Sequence, residues 1–476
     1  MSYGELAAIK EECGVLGIYG AQPDMAGLLY VGLFALQHRG EESSGIAISN
    51  GQQIKLTKGV GLVSDVFNPT NLSELESIQP MLGIGHVRYS TSGETDLSNA
   101  QPFIIRYLQG NLALAHNGNL ANTDRLREEM ELNGQVFQTN SDSEVILNLI
   151  ARYRREGIVV AIRQALSQVR GAYSLVMLSD DQLIAVRDPR AFRPLILGKL
   201  GDGYVVASES AAFDAMGADI IRDLEPGEIL IIDGDGLHSE HLGPRPKRAS
   251  CIFEYIYFAR VDSVVDGLNV HQVRRRLGQV LAEEQPAAAD IVVGVPDSAL
   301  AAAVGYSLAS GLPYDEGLVK NRYVGRTFIQ PGQSLRDLKV RLKLNPNRHV
   351  LEGKRVVVVD DSIVRGTTTS NLIRMLREAG AKEVHFRVSS PPYISPCYYG
   401  IDTPDKRELV AANHSVEEIR QLIGADSLGF LSKSGMLKAV TGDGYCMACL
   451  TGDYPERLSN EPCQGSCQGF KAKEVE

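Results

Sequence analysis

No apolar run in this chain of 476 residues is long enough to cross a bilayer, and residues 1–12 hold no apolar stretch of the kind a secretory signal needs. Positive charge is scarce as well. Against 58 Asp and Glu stand 48 Lys and Arg, a net charge of −10, which argues against a nucleic-acid surface. Basic clusters such as Arg274-Arg275-Arg276 are short and read as a solvated helix face or as phosphate ligands. There is no internal repeat and no low-complexity tract. The GxxxxGK[ST] nucleotide loop and the Ser-Gly-Gly loop of ATP pyrophosphatases are both missing. What remains is an acidic globular protein without a membrane or nucleic-acid partner, expected in the cytoplasm. Thiols stay reduced there, so its seven cysteines need a reason other than disulfides.

The length calls for two or more domains, and 44% hydrophobic with 22% charged residues is enough to bury a core in each. Up to residue 242 the chain is rich in short β-like runs, at 13–19, 45–48, 112–116, 173–178, 183–187 and 204–208, with helical segments at 122–132 and 144–153. Strands so close together in sequence favour hairpins and an α+β layout. Residues 243–250 are proline-rich and basic and read as a linker. From 251 to 453 helices alternate with apolar strands, at 270–284, 291–295, 299–310, 355–359, 369–378 and 384–388, the pattern of a doubly wound parallel sheet. The polar stretch 311–350 suits a lid, and 454–476 is a polar tail.

Val356-Val357-Val358-Val359 is an all-apolar, β-branched run suited to a strand covered on both faces. Asp360-Asp361 follow, then a small polar loop and a helix start. Gly366 allows close backbone approach. Thr367, Thr368 and Thr369 offer hydroxyls and amides at a helix N-terminus, which attracts anions. A phosphate fits the loop, but the acidic pair would repel it unless a cation or ribose hydroxyls lie between. The ligand implied is a sugar phosphate with a hard divalent metal, Mg²⁺. This string resembles the phosphoribosylpyrophosphate (PRPP) motif of the type I phosphoribosyltransferases. The resemblance implies an α/β domain in which Asp360 and Asp361 meet ribose hydroxyls and Mg²⁺, together with Ser298. Arg365, Gly366, Thr367 and Thr368 then hold the 5-phosphate, and a loop that includes Lys320 and Tyr323 closes over PRPP.

Cys13 alone, beside a strand, reads as packing. Three polar clusters change that weighing: His86 to Thr91, His116-Asn117-Gly118-Asn119-Leu120, and Asn140 to Glu144. Each taken alone reads as a turn. Arg88 can fork onto a carboxylate, Asp142 can hold an ammonium, and Asn117 with the Gly118 amide can face an oxyanion. With Gln37-His38-Arg39-Gly40 they resemble the class II glutamine amidotransferases. That family implies an N-terminal nucleophile (Ntn) hydrolase fold over 13–242, glutamine bound by Arg88, Asn117, Gly118 and Asp142, and Cys13 as nucleophile. Its base is a free α-amine, of pKa about 7.7–8.0. An amide nitrogen cannot serve, so 1–12 are expected to be a propeptide.

Cys446 and Cys449 form a C-x-x-C pair, while Cys251 and Cys397 stand apart. A structural zinc site usually shows two such pairs. Spacing leaves a metal site, a redox dithiol and two core thiols all open. Their contexts resemble the cluster-bearing branch of the glutamine PRPP amidotransferase family. That implies one [4Fe–4S] cluster on Cys251, Cys397, Cys446 and Cys449 and one Mg²⁺ per subunit, inhibition by purine nucleotides, and a homotetramer. Cys463 and Cys467 remain as tail thiols. The activity implied is release of ammonia from glutamine and its use to displace pyrophosphate from PRPP. A different amidotransferase and a PRPP-sensing regulator without chemistry are the alternatives. Glutamate release with and without PRPP separates the three.

Overall fold

The computed structural model describes residues 13–20, 22–89, 96–107, 110–179, 181–321, 344–403 and 405–456. The expectations for residues 1–12, Tyr323, most of the lid, Cys463 and Cys467 fall outside these. Among the described residues no helix is long and apolar enough to cross a membrane.

Two antiparallel sheets build the first half. One runs Asp219–Asp223, Ile196–Leu200, Gly203–Ala207, Gly14–Tyr19, Leu82–Arg88, Ser43–Ser49, Ile54–Val60. The other runs Gly236–His241, Glu228–Asp233, Gln182–Arg187, Gly171–Ser179, Gly110–Leu120, Phe103–Tyr107. Alternation along each strand decides which way its side chains go. Leu16 and Ile18 pack with Leu29 and Leu33 of the helix Met25–Ala35. Val15, on the other face, packs between the sheets with Ala113, Ala115 and Val176. Gly17 shares that inner face. A Cβ there would come within 2.6 Å of Val176 Cγ1, so its smallness lets the sheets approach. On the far side, Leu112, Leu114, Leu175 and Met177 bury against the helices Asp142–Tyr153 and Ile158–Leu166. The order is helix, sheet, sheet, helix, the Ntn-type α+β arrangement expected. The strand Gly110–Leu120 is longer than expected. It carries Asn117 and Gly118 within the ladder opposite Ser174 and Tyr173, where their polar character had suggested a turn. Pairing with the neighbouring strand overrides their local preference for a turn, while the amides of His116 and Leu120, on the same side as that of Gly118, point away from that ladder to side-chain acceptors.

The second half is a parallel sheet, ordered Ile291–Gly294, Arg355–Asp360, Glu383–Val388, Ser427–Phe430. Val357 and Val359 face the helices Val270–Glu284 and Leu300–Ser310, while Val356 and Val358 face Thr367–Glu378 and Val416–Ile423. That two-sided burial is why the strand is apolar at every position. Gly278 and Gly305 let the first two helices meet backbone to backbone. A Cβ at Gly278 would lie 1.8 Å from the Ala302 carbonyl oxygen, and one at Gly305 2.0 Å from that of Arg275. Arg274 departs from the solvated face expected of its cluster. It is buried, and its guanidinium donates to the carbonyls of Tyr255 (2.8 Å), Tyr257 (2.9 Å) and Ala259 (2.8 Å). A short parallel ladder pairs Ser250–Cys251 with Tyr445–Cys446, fastening the C-terminal region to the start of this half.

Candidate active site

Cys13 stands just before the strand Gly14–Tyr19 and is buried. Its thiol donates to the Tyr89 carbonyl at 3.4 Å, and its own carbonyl accepts from Arg39 Nε at 3.1 Å. Burial pushes the thiol up to about 11, against the pull of the Tyr89 contact and the Arg88 charge. Such a thiol is protonated at neutral pH and needs a base beside it to become a nucleophile. Arg88 ends the strand Leu82–Arg88 and is buried. Asp142 opens the helix Asp142–Tyr153, where the dipole favours a carboxylate. Both charges reach the Cys13 thiol.

Asp142 is held on several sides. Its Oδ2 accepts from the Leu120 amide at 3.0 Å, its Oδ1 from Ser143 Oγ at 3.2 Å, and the His116 ring lies 3.6 Å from Oδ1. Burial alone would raise this carboxyl; His116 and the Leu120 and Ser143 bonds hold it below its usual range. Two and three residues before Leu120 stand Gly118 and Asn117. The Asn117 side chain is buried, and neither of its amide atoms has a hydrogen-bond partner among the described residues. A buried polar group left so costs about 1–3 kcal/mol, which makes it a candidate ligand group. Gly118 has φ +146°, and a Cβ there would lie 2.1 Å from the Ala172 carbonyl oxygen.

In the second half, the loops after the adjacent strands Ile291–Gly294 and Arg355–Asp360 meet. Ser298 Oγ donates to Asp361 Oδ2 in a close contact, Ser362 Oγ to Asp361 Oδ1 at 2.5 Å, and Ser390 Oγ to the Asp361 carbonyl at 2.7 Å. Burial raises both carboxyls, and Asp361 raises Asp360 further. Gly366 takes φ +78°, turning the loop into the helix Thr367–Glu378. Thr368 Oγ1 and Arg365 Nε are buried there without a partner among the described residues. Lys320, ending the strand Leu318–Lys320, pairs with the Asp297 carboxylate. The loop offers oxygen donors from Ser298, Asp360 and Asp361, a set chemically suited to a hard cation.

The four cysteines converge. Cys251 and Cys446 are register partners. Burial pushes the Cys446 thiol up to about 12. Burial raises Cys449 too, and the thiols of Cys397, Cys251 and Cys446 raise it further by repulsion. No disulfide joins the five described cysteines. Among the described residues no group of three or more His, Cys, Asp or Glu is arranged to hold a metal ion. The four thiols share one neighbourhood without forming a finished cage.

Residues assigned no role from sequence join the two halves. Arg39 contacts Glu209 and Glu254, all three buried. Glu209 also accepts from Ser263 Oγ at 2.7 Å and the Arg260 amide at 2.9 Å. The Gln-His-Arg-Gly string gave a signal for Arg39; nothing local marked Glu209 or Glu254.

Comparison with known proteins gives two family matches: a glutamine amidotransferase domain over residues 86–215 and a phosphoribosyl transferase domain over 261–395. The amidophosphoribosyltransferase of Bacillus subtilis is 50% identical over 461 residues, 95% of this chain and 96% of that one. That of Archaeoglobus fulgidus is 50% identical over 459 residues, 95% of this chain and all of the other. Among solved structures, the allosteric regulatory enzyme of purine biosynthesis superposes with a TM-score of 0.90 at 50% identity, covering 94% of this chain and 97% of that one. Glutamine PRPP amidotransferase from B. subtilis complexed with ADP and GMP gives 0.89 at 49% identity, covering 95% and 99%.

Proposed function

The chain belongs to the amidophosphoribosyltransferase family, and on that premise we infer how its residues divide the reaction. It is a glutamine-dependent amidotransferase that makes 5-phosphoribosylamine from PRPP, the first step of purine biosynthesis. Cys13 is the nucleophile. Its α-amine, exposed once 1–12 are removed, takes the thiol proton, and the sulfur attacks the glutamine side-chain carbonyl. The orphaned Asn117 amide and the Gly118 N–H stabilise the oxyanion, while Arg88 and Asp142 hold the α-carboxylate and α-ammonium. Ammonia leaves with the proton, and water releases glutamate from the thioester.

Ammonia then attacks C1 of PRPP and pyrophosphate departs. Arg365, Gly366, Thr367 and Thr368 hold the 5-phosphate, and Lys320 and Tyr323 belong to the closing loop. Asp360, Asp361 and Ser298 are the residues that would hold one Mg²⁺, which supplies charge neutralisation at the pyrophosphate. Cys251, Cys397, Cys446 and Cys449 are the residues that would hold a structural [4Fe–4S] cluster. Their convergence and the Cys251–Cys446 register support this. Purine nucleotides are the inhibitors, a reading supported by the ADP and GMP of the B. subtilis relative. The domain limits proposed are 13–242 and 251–453, supported by a last antiparallel strand that ends at His241 and a parallel ladder that begins at Ser250. A homotetramer and a cytoplasmic setting complete the proposal.

The carrying observation is the joining in one chain of a buried Cys13 near Arg88 and Asp142 with an acidic pair on an anion loop. Glutamate and phosphoribosylamine are measured with glutamine or ammonia as donor. Glutamate release without any PRPP-dependent product would overturn the reading.

A further inference from the structure

The second half touches the first at the strand proposed to hold the oxyanion. Gly400 has φ +113°, and a Cβ built there would lie 2.8 Å from Arg193 Nη2, 3.3 Å from the Gly118 carbonyl carbon and 3.4 Å from the Gly118 Cα. Gly118 is therefore wedged between the Ala172 carbonyl on one side and the Gly400 backbone on the other. Two further ties fix this contact. Asn119 Nδ2 donates to the Tyr398 carbonyl at 3.0 Å, and Arg193 Nη2 to the Tyr399 carbonyl at 2.5 Å. The rings of Phe192 and Tyr399 stack at 4.3 Å, inside a small apolar cluster that includes Ala172. Both neighbours of Gly118 are thus anchored to one body.

We propose that residues 397–400 are a positioning element for glutamine hydrolysis, with Gly400 setting the placement of the Gly118 amide. Gly400 touches neither glutamine nor Cys13; it acts through Gly118. Oxyanion donors act only within about 2.7–3.1 Å of the developing charge, and losing one costs about 10²–10³-fold in kcat. A displacement of a few tenths of an ångström spends part of that. The inference rests on the reading of Asn117 and Gly118 as oxyanion donors.

The test uses the processed full-length enzyme in three variants. Gly400→Ala adds a methyl that the Gly118 backbone and Arg193 must accommodate. A cavity of about 100 Å³ lined by Asn119, Cys397, Gly400 and Thr403 borders the turn, but the φ of +113° strains an alanine whatever the space, so Asn119→Ala carries the test where Gly400→Ala does not fold. Asn119→Ala removes one tie and leaves the turn's own sequence intact. Asn117→Ala probes the oxyanion assignment itself. The expected result for Gly400→Ala is a fall of roughly tenfold or more in glutamine kcat, with KM within about twofold. Asn119→Ala falls less in the same parameter. Synthesis from added ammonia is unchanged in both. Alkylation of Cys13 by iodoacetamide, which forms no oxyanion, also keeps its rate, a result that general loosening of the site would not give. Full glutamine kcat in Gly400→Ala and Asn119→Ala, with Asn117→Ala impaired, overturns the positioning role alone. Full kcat in Asn117→Ala overturns the oxyanion assignment and this role with it. Equal loss of glutamine- and ammonia-dependent synthesis, or of alkylation, assigns Gly400 to structure.

Discussion

Arg39 and Glu254 form a bidentate ion pair across the two halves, Nη2 to Oε1 at 2.7 Å and Nη1 to Oε2 at 3.0 Å, both side chains buried. The same guanidinium holds the Cys13 carbonyl, so the nucleophile is fixed from the second half. Glu254 opens the segment Glu254–Phe258, whose carbonyls Arg274 gathers, and the Arg274 charge in turn reaches Asp361. Hydrogen bonds therefore lead from Cys13 through Arg39 to Glu254 and gather the following segment onto Arg274, whose charge bears on Asp361.

Removing one partner of a buried pair strands the other charge. Glu254→Ala is expected to destabilise the protein by about 3–5 kcal/mol, toward the lower end because Glu209 still faces Arg39. Glutamine-dependent synthesis should fall further than ammonia-dependent synthesis, since Cys13 loses its support. Urea midpoints and the two rates check this. An unchanged midpoint with unchanged rates would refute the network's role.

The two activities should separate by mutation. Cys13→Ala is expected to abolish glutamine use and to leave synthesis from ammonia. Asp361→Asn is expected to lower both by about two orders of magnitude, because a positioned charge at the reacting centre is worth that much. Steady-state rates with each donor decide. Loss of ammonia-dependent synthesis in a folded Cys13→Ala protein breaks the division of labour.

Much of this arrangement could be read from residues. Val356 to Asp361 gave the strand, its two covered faces and the acid pair together, because a strand buried on both sides has few other sequences open to it. The strand Leu82–Arg88 was not legible. Its Gly83 and Gly85 weaken any β signal, yet they are small because the helix Met25–Ala35 lies on them. Cβ atoms there would come within 2.6 Å of Leu29 and 2.9 Å of Leu33. That helix was hidden too, being apolar nearly all round and so without a period. Arg39 and Glu254 lie 215 residues apart, and no local pattern pairs residues at that distance.

The state of Cys13 predicts a pH signature. Its thiol is raised to about 11, first by burial. A raised thiol pKa means less thiolate, so alkylation of Cys13 in the uncleaved chain should be slow at pH 7–9 and rise about tenfold per unit toward 11. Once 1–12 are removed, the α-amine is available as base, and reaction with a glutamine analogue should follow a group of pKa about 7.7–8.0. Mass spectrometry identifies the first residue, and alkylation rates across pH report the titration. Full glutamine-dependent activity in a chain still beginning at Met1 would sink the propeptide proposal.

The final expectation concerns the four thiols. Cys251 and Cys446 pair across the ladder that fastens the C-terminal region, and Cys449 fixes the Ile394 and Ser395 amides through its carbonyl at 2.9 and 3.0 Å. Cys397 begins the turn 397–400 and lines one cavity with Asn119, so the role expected of the four is to hold structure and position rather than to react. A cluster binding only the folded state adds stability by mass action. Protein purified without oxygen should then be brown, with about four irons per chain. Exposure to oxygen should bleach it and raise proteolysis between about residues 440 and 456, while Cys463 and Cys467 can be replaced without loss of iron. Cys446→Ser should lose iron and stability together. Stoichiometric zinc would assign a different metal to these thiols, and a colourless, metal-free protein of full stability and activity would show that they are held by packing alone.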